Sequence, residues 1–207
     1  MLQDTDTRLR VHLDREELFD LVRRERFARD QRRFEVMRAC FHSDAYVRTS
    51  WYEGRGGDAY VEATRTWMGN TGNSKHWVFP AFAQVVGDRA TVESPAMIFN
   101  RARVEDVEVD FHVFCRFFSR AVREEGRWRL ASFEVLFERD VMKQVNPADT
   151  LPIDWQVLSG MRPSYKFLTY IQSLRGVMVN PDLLGDDRPE QLTRFHAGED
   201  HWLAGDE

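Results

Sequence analysis

The feature that most restricts the fold is a run of four strand candidates between residues 75 and 140. Four segments are rich in Val, Phe and Ile and alternate apolar with polar positions: KHWVFPAFAQVV, RATVESPAMIFNRAR, VEVDFHVFCRFFSRAV and RWRLASFEVLFERD. Gly87-Asp88 and Glu125-Gly126, which fall between segments, are typical of two-residue hairpin turns. Because such turns join antiparallel neighbours, the run predicts an antiparallel meander.

The chain before this run predicts helices and one short strand. Residues 1–13 are polar and predict a loose arm. Asp14 is suited to cap the first helix, whose buried stripe is expected at Leu18, Leu21, Val22 and Phe27. A second short helix, a strand at YVRTSW and a third helix at DAYVEATRTWMG follow. The order predicts an α+β fold, in which three N-terminal helices close one face of a curved antiparallel sheet and leave a conical cavity.

The character of the sequence changes again after the last strand candidate. NPADTLPID is a Pro-rich linker, and SYKFLTYIQSLRG predicts a short amphipathic helix. Residues 143–207 are too few to form an independent core. We therefore expect them to pack across a domain formed by residues 14–142, where the helix could serve as a lid.

The charge pattern argues against a nucleic-acid partner. The chain has 29 Lys and Arg residues against 34 Asp and Glu residues, for a net charge of −5. An acidic chain gains little from phosphate contacts. The arginines near the first helix alternate with acidic residues and are interpreted as a solvated helix face: Arg23, Arg24, Arg26, Arg29, Arg32 and Arg33.

Cofactor, metal and membrane signals are missing from the sequence. Cys40 and Cys115 lie far apart, and no His, Asp or Glu cluster has metal-ligand spacing. No nucleotide-binding or other cofactor motif occurs. The N-terminus is polar and predicts no signal peptide, and no apolar run reaches the roughly 18 residues needed to span a bilayer. We expect a cytoplasmic protein without cofactor or metal.

His76 and Asp30 are the first candidates for chemistry. His76 shares a strand face with Val78 and Phe82, which predicts that its side chain points inward. An inward His is either a core residue or a base suited to proton abstraction near neutral pH. Asp30, at the end of the first helix, could orient that His or cap a helix beginning near Gln31.

Asp110 and His112 form a second polar pair on a later strand. They share a face with Phe114 and Arg116, and this face either meets solvent or lines the cavity. The 15 Phe and 6 Trp residues favour a flat apolar ligand, although such aromatics are also ordinary core residues. The candidates for substrate contact are Trp51, Trp67, Phe99, Asn100, Phe114, Arg116, Phe133 and Tyr165.

Several local sequences resemble the SnoaL-like branch of the nuclear-transport-factor-2-like (NTF2-like) superfamily. They are RFARDQRRF, FHSDA, SKHWV, VVGDRATVES and EGRWRLASFEVLFERDVM, within residues 14–142. The resemblance implies a cone-shaped fold and a homodimer or homotrimer. In the dehydratase and dehydrochlorinase members a His at a strand start is the base and an Asp from the first helix orients it, and His76 and Asp30 fall on these positions. The family resemblance also implies that the strand face carrying Asp110 and His112 lines the cavity.

These observations together predict a cofactor-independent lyase acting on a small aromatic or hydrophobic molecule. His76, oriented by Asp30, would remove a proton, and water, halide or formaldehyde would leave, with Asp110, His112 or a tyrosine assisting. Three alternatives stay open because one fold hosts many activities. They are an isomerase or cyclase with the same dyad, a non-catalytic small subunit of a ring-hydroxylating dioxygenase, and a binding protein for an aromatic ligand.

Overall fold

The computed structural model describes residues 2–71 and 74–205. Its helices are α1 (Leu2–Asp30), α2 (Phe34–Arg38), α3 (Gly57–Thr71), α4 (Trp155–Ser159), α5 (Lys166–Leu174) and α6 (Pro189–Ala204). Its strands are β1 (Phe41–Arg48), β2 (Glu53–Arg55), β3 (Lys75–Val78), β4 (Phe82–Val86), β5 (Arg89–Val104), β6 (Val107–Glu124) and β7 (Arg127–Gln144). A 3₁₀ turn at Pro163–Tyr165 precedes α5.

The strands form one sheet in the order β2-β1-β7-β6-β5-β3, with β4 also paired to β5. The pairs β4–β5, β5–β6 and β6–β7 are antiparallel, whereas β1 runs parallel to β7. Two of the connecting turns are Gly87-Asp88 and Glu125-Gly126, with φ of 58° at Gly87 and 76° at Gly126. Glycine adopts these left-handed angles without strain. The predicted α+β class and antiparallel meander are confirmed.

The first strand candidate of the meander is interrupted. KHWVFPAFAQVV forms β3 and β4, which pair with different parts of β5. Proline has no amide hydrogen to give to a ladder, and Pro80 lies in the gap between the two strands. The break changes the face of the residues beyond it, and Phe82 is 55% exposed instead of inward. Two smaller differences are that HSDA belongs to β1 and that EGR forms β2.

Helix α1 begins at Leu2 instead of Asp14. No Pro or Gly interrupts this stretch, and the helix continues through residues 5–13, which are exposed. The prediction of a loose arm is therefore wrong for the described residues. Asp14 does not start the helix; it accepts hydrogen bonds from Arg123 Nη2 at 2.6 Å and Trp128 Nε1 at 3.4 Å. These contacts tie α1 to the β6–β7 hairpin.

The concave face of the sheet holds the core. Val109, Phe111, Val113 and Phe117 of β6 are buried beneath the helices. Register shifts in the β6–β7 ladder occur between Phe114 and Cys115 and between Phe118 and Ala121. Such irregularities bend strands and increase twist, so the long strands curve around the helical layer.

The segment after β7 contacts both faces of the sheet. Backbone hydrogen bonds join Phe137 to Leu184 and Asp186 beside the part of β7 that β1 does not reach. Helix α5 packs near β7, while α6 lies against the outer face, where Arg120 binds Glu199 through two bonds of 2.6 and 2.9 Å. Phe118, Leu136 and Leu184 form a separate apolar cluster beneath α6.

Asp140 of β7 holds the start of α5. Its carboxylate Oδ2 accepts the Leu168 amide at 2.8 Å, and burial raises the pKa of Asp140 to about 6 even though the amide bond lowers it. A carboxyl whose folded pKa is raised adds stability below its unfolded pKa and loses that addition as pH rises through the folded value. This side chain therefore favours the folded state most at acidic pH.

We expect Asp140→Asn, which keeps an acceptor oxygen but cannot ionise, to lack the wild-type loss of stability between about pH 4 and pH 6. Asp140→Ala removes the acceptor and should cost about 1 kcal/mol at neutral pH. Urea denaturation of the three proteins at several pH values checks both statements. Parallel pH profiles for wild type and Asp140→Asn would contradict the first.

Candidate active site

A cavity of about 60 Å³ lies between the concave face of the sheet and the helices. Its walls come from α1, α3, α5 and the strands β3, β5, β6 and β7, together with the loop after β1. The walls are largely aromatic: Trp51, Tyr60, Trp67, Phe111, Phe117, Phe133 and Phe137. This volume is below the roughly 300–1,000 Å³ of pockets that hold drug-sized ligands, so the cavity suits a small molecule.

His76 and Asp30 meet at this cavity. His76 Nδ1 lies 2.8 Å from Asp30 Oδ1, and the His76 backbone amide donates to Asp30 Oδ2 at 2.6 Å. Asp30 ends α1 and His76 is the second residue of β3, and the ammonium of Lys75 also donates to the Asp30 carbonyl. Both side chains are buried. The predicted proximity of the two residues is therefore present in the structure.

The alternative role of Asp30 as a helix cap is wrong. Helix α2 begins at Phe34, its cap position is Arg33, and no side chain caps it. The Asp30 carboxylate instead receives His76 and the Arg29 guanidinium, whose Nη1 lies 3.0 Å from Oδ1.

The pair is held as an ionised Asp and a neutral His. Burial raises the pKa of Asp30, but the His76 hydrogen bond and the charges of His76 and Arg29 outweigh it and lower the pKa overall. Burial and the charge of Arg29 lower the pKa of His76 to about 4, against the opposing effect of Asp30. A neutral imidazole beside a carboxylate carries its proton on Nδ1. Its Nε2 lone pair then remains free, and no described group hydrogen-bonds to it.

Two tryptophans and two further predicted contact residues lie on the cavity wall. Trp51, Trp67, Asn100 and Phe133 line it. The rings of Trp51 and Trp67 stack at 4.8 Å with an interplanar angle of 11°. A flat apolar wall of this kind suits a planar ligand.

The second polar pair lies on the opposite face of the sheet. Alternation along β6 places Phe111 and Val113 inward, so Asp110 and His112 point outward. Asp110 binds Arg101 at 2.8 and 3.0 Å, and the His112 ring packs against Phe99 at 5.1 Å. The prediction that this face lines the cavity is wrong.

Three other predicted contact residues share that outer face, and a fourth is buried behind the cavity wall. Phe99, Phe114 and Arg116 do not line the cavity. Arg116 instead forms ion pairs with acidic residues on β5, on β7 and after α5: Glu93, Glu138 and Asp186. The Tyr165 ring packs against Phe137 at 5.0 Å, and its hydroxyl accepts a 2.9 Å bond from Arg162.

Arg26 and Arg29 are cavity residues that the sequence interpretation assigned to solvent. Their side chains are 5% and 3% exposed, respectively. Arg26 binds the buried Glu25, donates to the Tyr60 hydroxyl at 3.2 Å and lies 4.4 Å above the Phe133 ring. Arg29 donates to the Ser74 carbonyl at 3.0 Å as well as to Asp30.

The burial of these arginines has a signal in the sequence, namely their spacing along α1. Buried positions of α1 recur at 18, 22, 25, 26 and 29, which is the spacing of one helix face. The apolar stripe that begins at Leu18 therefore continues in charged residues. Phe27, predicted as part of the stripe, is off this face and is exposed.

Neither a metal cluster nor a spanning helix is found in the part of the chain that the structure describes. Within residues 2–71 and 74–205, no three His, Cys, Asp or Glu side chains are arranged to hold a metal ion. No helix in that part of the chain has the length and apolar character required to cross a membrane.

With this geometry established, the chain can be compared with known proteins. The family model of the SnoaL-like domain matches residues 10–134. The chain belongs to the SnoaL-like family. Pea pathogenicity protein 2 of Fusarium vanettenii is 28% identical over 180 residues, which cover 85% of this chain and 77% of that protein. An uncharacterised protein of Emericella nidulans is 30% identical over 184 residues, covering 85% and 77%.

Solved structures with a similar fold include proteins with elimination activities in their names. A hexachlorocyclohexane dehydrochlorinase matches with a TM-score of 0.55 at 12% identity, covering 70% of this chain and 98% of its own. A Streptomyces avermitilis protein assigned as a dehydratase of the NTF2-like family matches with a TM-score of 0.52 at 15% identity, covering 60% and 95%. At these identities the likeness shows the fold, which is NTF2-like.

We expect the His76 imidazole to keep its Nδ1 proton at neutral pH and to become doubly protonated only near pH 4. Because the folded pKa lies below the unfolded value of 6.5, the protein should lose stability as pH falls from 6.5 through 4. Nitrogen chemical shifts of the imidazole, assigned with His76→Gln, measure the titration. A midpoint near 6.5 would show that neither burial nor Arg29 acts on this ring.

Proposed function

We propose that this SnoaL-like protein is a cofactor-independent lyase that removes a proton and expels a leaving group from a small aromatic or hydrophobic molecule. The buried contact between His76 Nδ1 and Asp30 at the wall of an aromatic cavity carries the proposal. The fold it shares with a hexachlorocyclohexane dehydrochlorinase supports an elimination. Fold alone does not fix function, so the argument rests on the residues of the site.

The proposed reaction begins with proton transfer to His76. Its Nε2 takes a proton from carbon or from a hydroxyl group, and the Asp30 carboxylate stabilises the imidazolium that forms. When the proton comes from carbon, the electron pair of the C–H bond forms a C=C bond as a neighbouring group departs as halide, or as water after receiving a proton. When the proton comes from a CH2OH group, the C–C bond breaks to release formaldehyde, and its electron pair forms the C=C bond as a neighbouring hydroxyl receives a proton and leaves as water. Asp110 and His112 lie outside the cavity and cannot donate a proton to the leaving group. Tyr60 lines the cavity, and we assign that proton-donor role to its hydroxyl.

Helix α5 serves as the lid in this proposal. It contributes Leu168 and Gln172 to the cavity wall, and Arg175 follows at its end. Exclusion of water by such a cover strengthens electrostatic interactions inside a site. An isomerase using the same dyad would return the proton to the substrate instead of losing a group, so the product distinguishes the two reactions.

We expect His76→Ala and Asp30→Asn each to lower turnover by about 10²–10⁴-fold, the usual contribution of one positioned base. A panel of aryl compounds with β-hydroxyl or β-halogen groups, analysed by mass spectrometry, identifies a converted substrate and its product. The matched controls are His112→Ala and Asp110→Asn, which alter the same residue types on the outer face. Unchanged turnover in folded His76→Ala would refute the proposal, as would equal losses in the controls.

The protein is further proposed to form a homodimer or homotrimer through the outer face of its sheet. Apolar side chains are exposed there and at the adjoining sheet edge: Trp77 is 57% exposed, Phe79 58% and Phe82 55%. The Trp77 ring packs on Phe99 at 4.5 Å, which extends the apolar surface across β5. Contiguous exposed apolar area on a water-soluble surface commonly marks an interaction site, and a second copy of the chain is the occupant proposed.

Trp77→Lys should shift the protein toward the monomer, because it places a charge in the proposed interface. Light scattering after size exclusion measures the mass of both proteins. Trp155→Lys, at an exposed aromatic residue of α4, is the control and should keep the wild-type mass. A monomeric wild type would exclude this assembly.

A further inference from the structure

We propose that the ligand of this cavity carries a single carboxylate on a small planar body, and that Arg175 with Arg29 recognises the carboxylate. The inference rests on the proposed function for its location but concerns what the site binds. The wall of the cavity carries positive charge. Three arginines line the cavity, namely Arg26, Arg29 and Arg175, and no carboxylate of the described residues lines it.

The three arginines differ in how far their charge is already balanced. Arg26 binds the buried Glu25, and Arg29 binds Asp30. Arg175 has no carboxylate within ion-pair distance among the described residues; it is an exposed residue that also lines the cavity, and partial burial lowers its pKa. An exposed guanidinium of this kind is solvated in the free protein and stays available to pair with an anionic ligand. One net positive charge is thus left at the cavity, and a monoanion would balance it.

Two buried polar atoms on the wall also lack partners. Arg29 Nε and Gln172 Oε1 have no hydrogen bond among the described groups, although both side chains are more than nine-tenths buried. The amide of Gln172 is fixed by its bond to Ser50 Oγ at 2.8 Å, so its oxygen is held in place. Unsatisfied groups of this kind are uncommon in folded proteins. A ligand with both an acceptor and a donor, such as a hydroxy acid, would satisfy both.

The chemistry favours a carboxylate over a phosphate ester. Arginine binds planar carboxylates through paired hydrogen bonds. A phosphate monoester carries close to two negative charges at neutral pH, which exceeds the one unbalanced charge at the wall. The stacked Trp51 and Trp67 provide the flat surface for the rest of the molecule.

The position of Arg29 beside Asp30 also supports the proposed chemistry. Arg29 touches Asp30, which in turn touches His76, so a carboxylate at Arg29 lies close to the base. Negative charge that develops when a proton leaves carbon next to a carboxylate would face the same guanidinium groups. Preorganised positive charge at such a point stabilises the transition state. Arg29 and Arg175 are accordingly specificity-determining residues of the site.

Equilibrium binding tests the inference without requiring turnover. The probes are benzoate, phenylacetate and cinnamate, each paired with its neutral amide. Acetate, which has no ring, and inorganic phosphate are the comparison ligands. Binding is followed by calorimetry and by the fluorescence of the cavity tryptophans. In the wild-type chain at least one aromatic acid should bind about tenfold or more tightly than its amide. Arg175→Gln should remove that preference while leaving amide binding unchanged.

Two further variants make the test specific. Arg194→Gln removes an exposed arginine of the same C-terminal segment that does not line the cavity, and it should keep the preference for the acid. Gln172→Glu places a carboxylate of the same size among the three arginines and should abolish acid binding. Thermal melting confirms that each variant is folded.

The outcomes separate this inference from the lyase proposal. Acids that bind no better than their amides, an unaffected preference in Arg175→Gln, or phosphate binding as tight as that of the aromatic acids would each overturn it. Acid-selective binding that depends on Arg175 supports it even if no substrate is ever eliminated. Conversely, loss of turnover in His76→Ala with an equal affinity for acids and amides would leave the lyase proposal intact and refute the carboxylate.

Discussion

The carboxylate of Asp30 joins the helical layer to the edge of the sheet. It receives the His76 ring, the His76 backbone amide and the Arg29 guanidinium at one point. Strand β3 is short and pairs with one strand, β5, so its position depends strongly on this contact with α1. The same bonds fix the tautomer and orientation of His76. The atoms that support β3 are thus the same atoms that would orient His76 in the proposed proton transfer.

Buried charge is the second constraint on the site. Helix α1 begins its buried stripe with Leu18, Leu21 and Val22 and continues it with charged residues. Charges are expensive to bury unless paired and hydrogen-bonded, and Glu25 and Asp30 supply those partners. The arrangement places positive groups beside an aromatic cavity while keeping the helix compatible with the core. It also lowers the pKa of His76, so the surrounding charge helps to determine the protonation of this side chain.

The strand periodicity predicted the sheet well, because alternation and tight turns are local features. Alternation separated the two faces of β6 without saying which one the helices cover, and the family resemblance then assigned Asp110 and His112 to the wrong face. His76 was placed inward from a pattern that included Phe82, yet Pro80 breaks that pattern between the two residues. The prediction that Asp30 contacts His76 depended on the family resemblance. Arg26 and Arg29 were missed because charge was taken as evidence of exposure.

The C-terminal segment crosses the edge of β7 and contacts both faces of the sheet. Gln172 reaches into the cavity, while Glu199 and Phe195 hold the outer surface. The strand edge between them is satisfied by backbone from Leu184 to Asp186. A shortened chain that opened the cavity would therefore also bare an apolar cluster and an unpaired strand edge. Access to the interior and protection against edge-to-edge association therefore depend on the same segment of the chain.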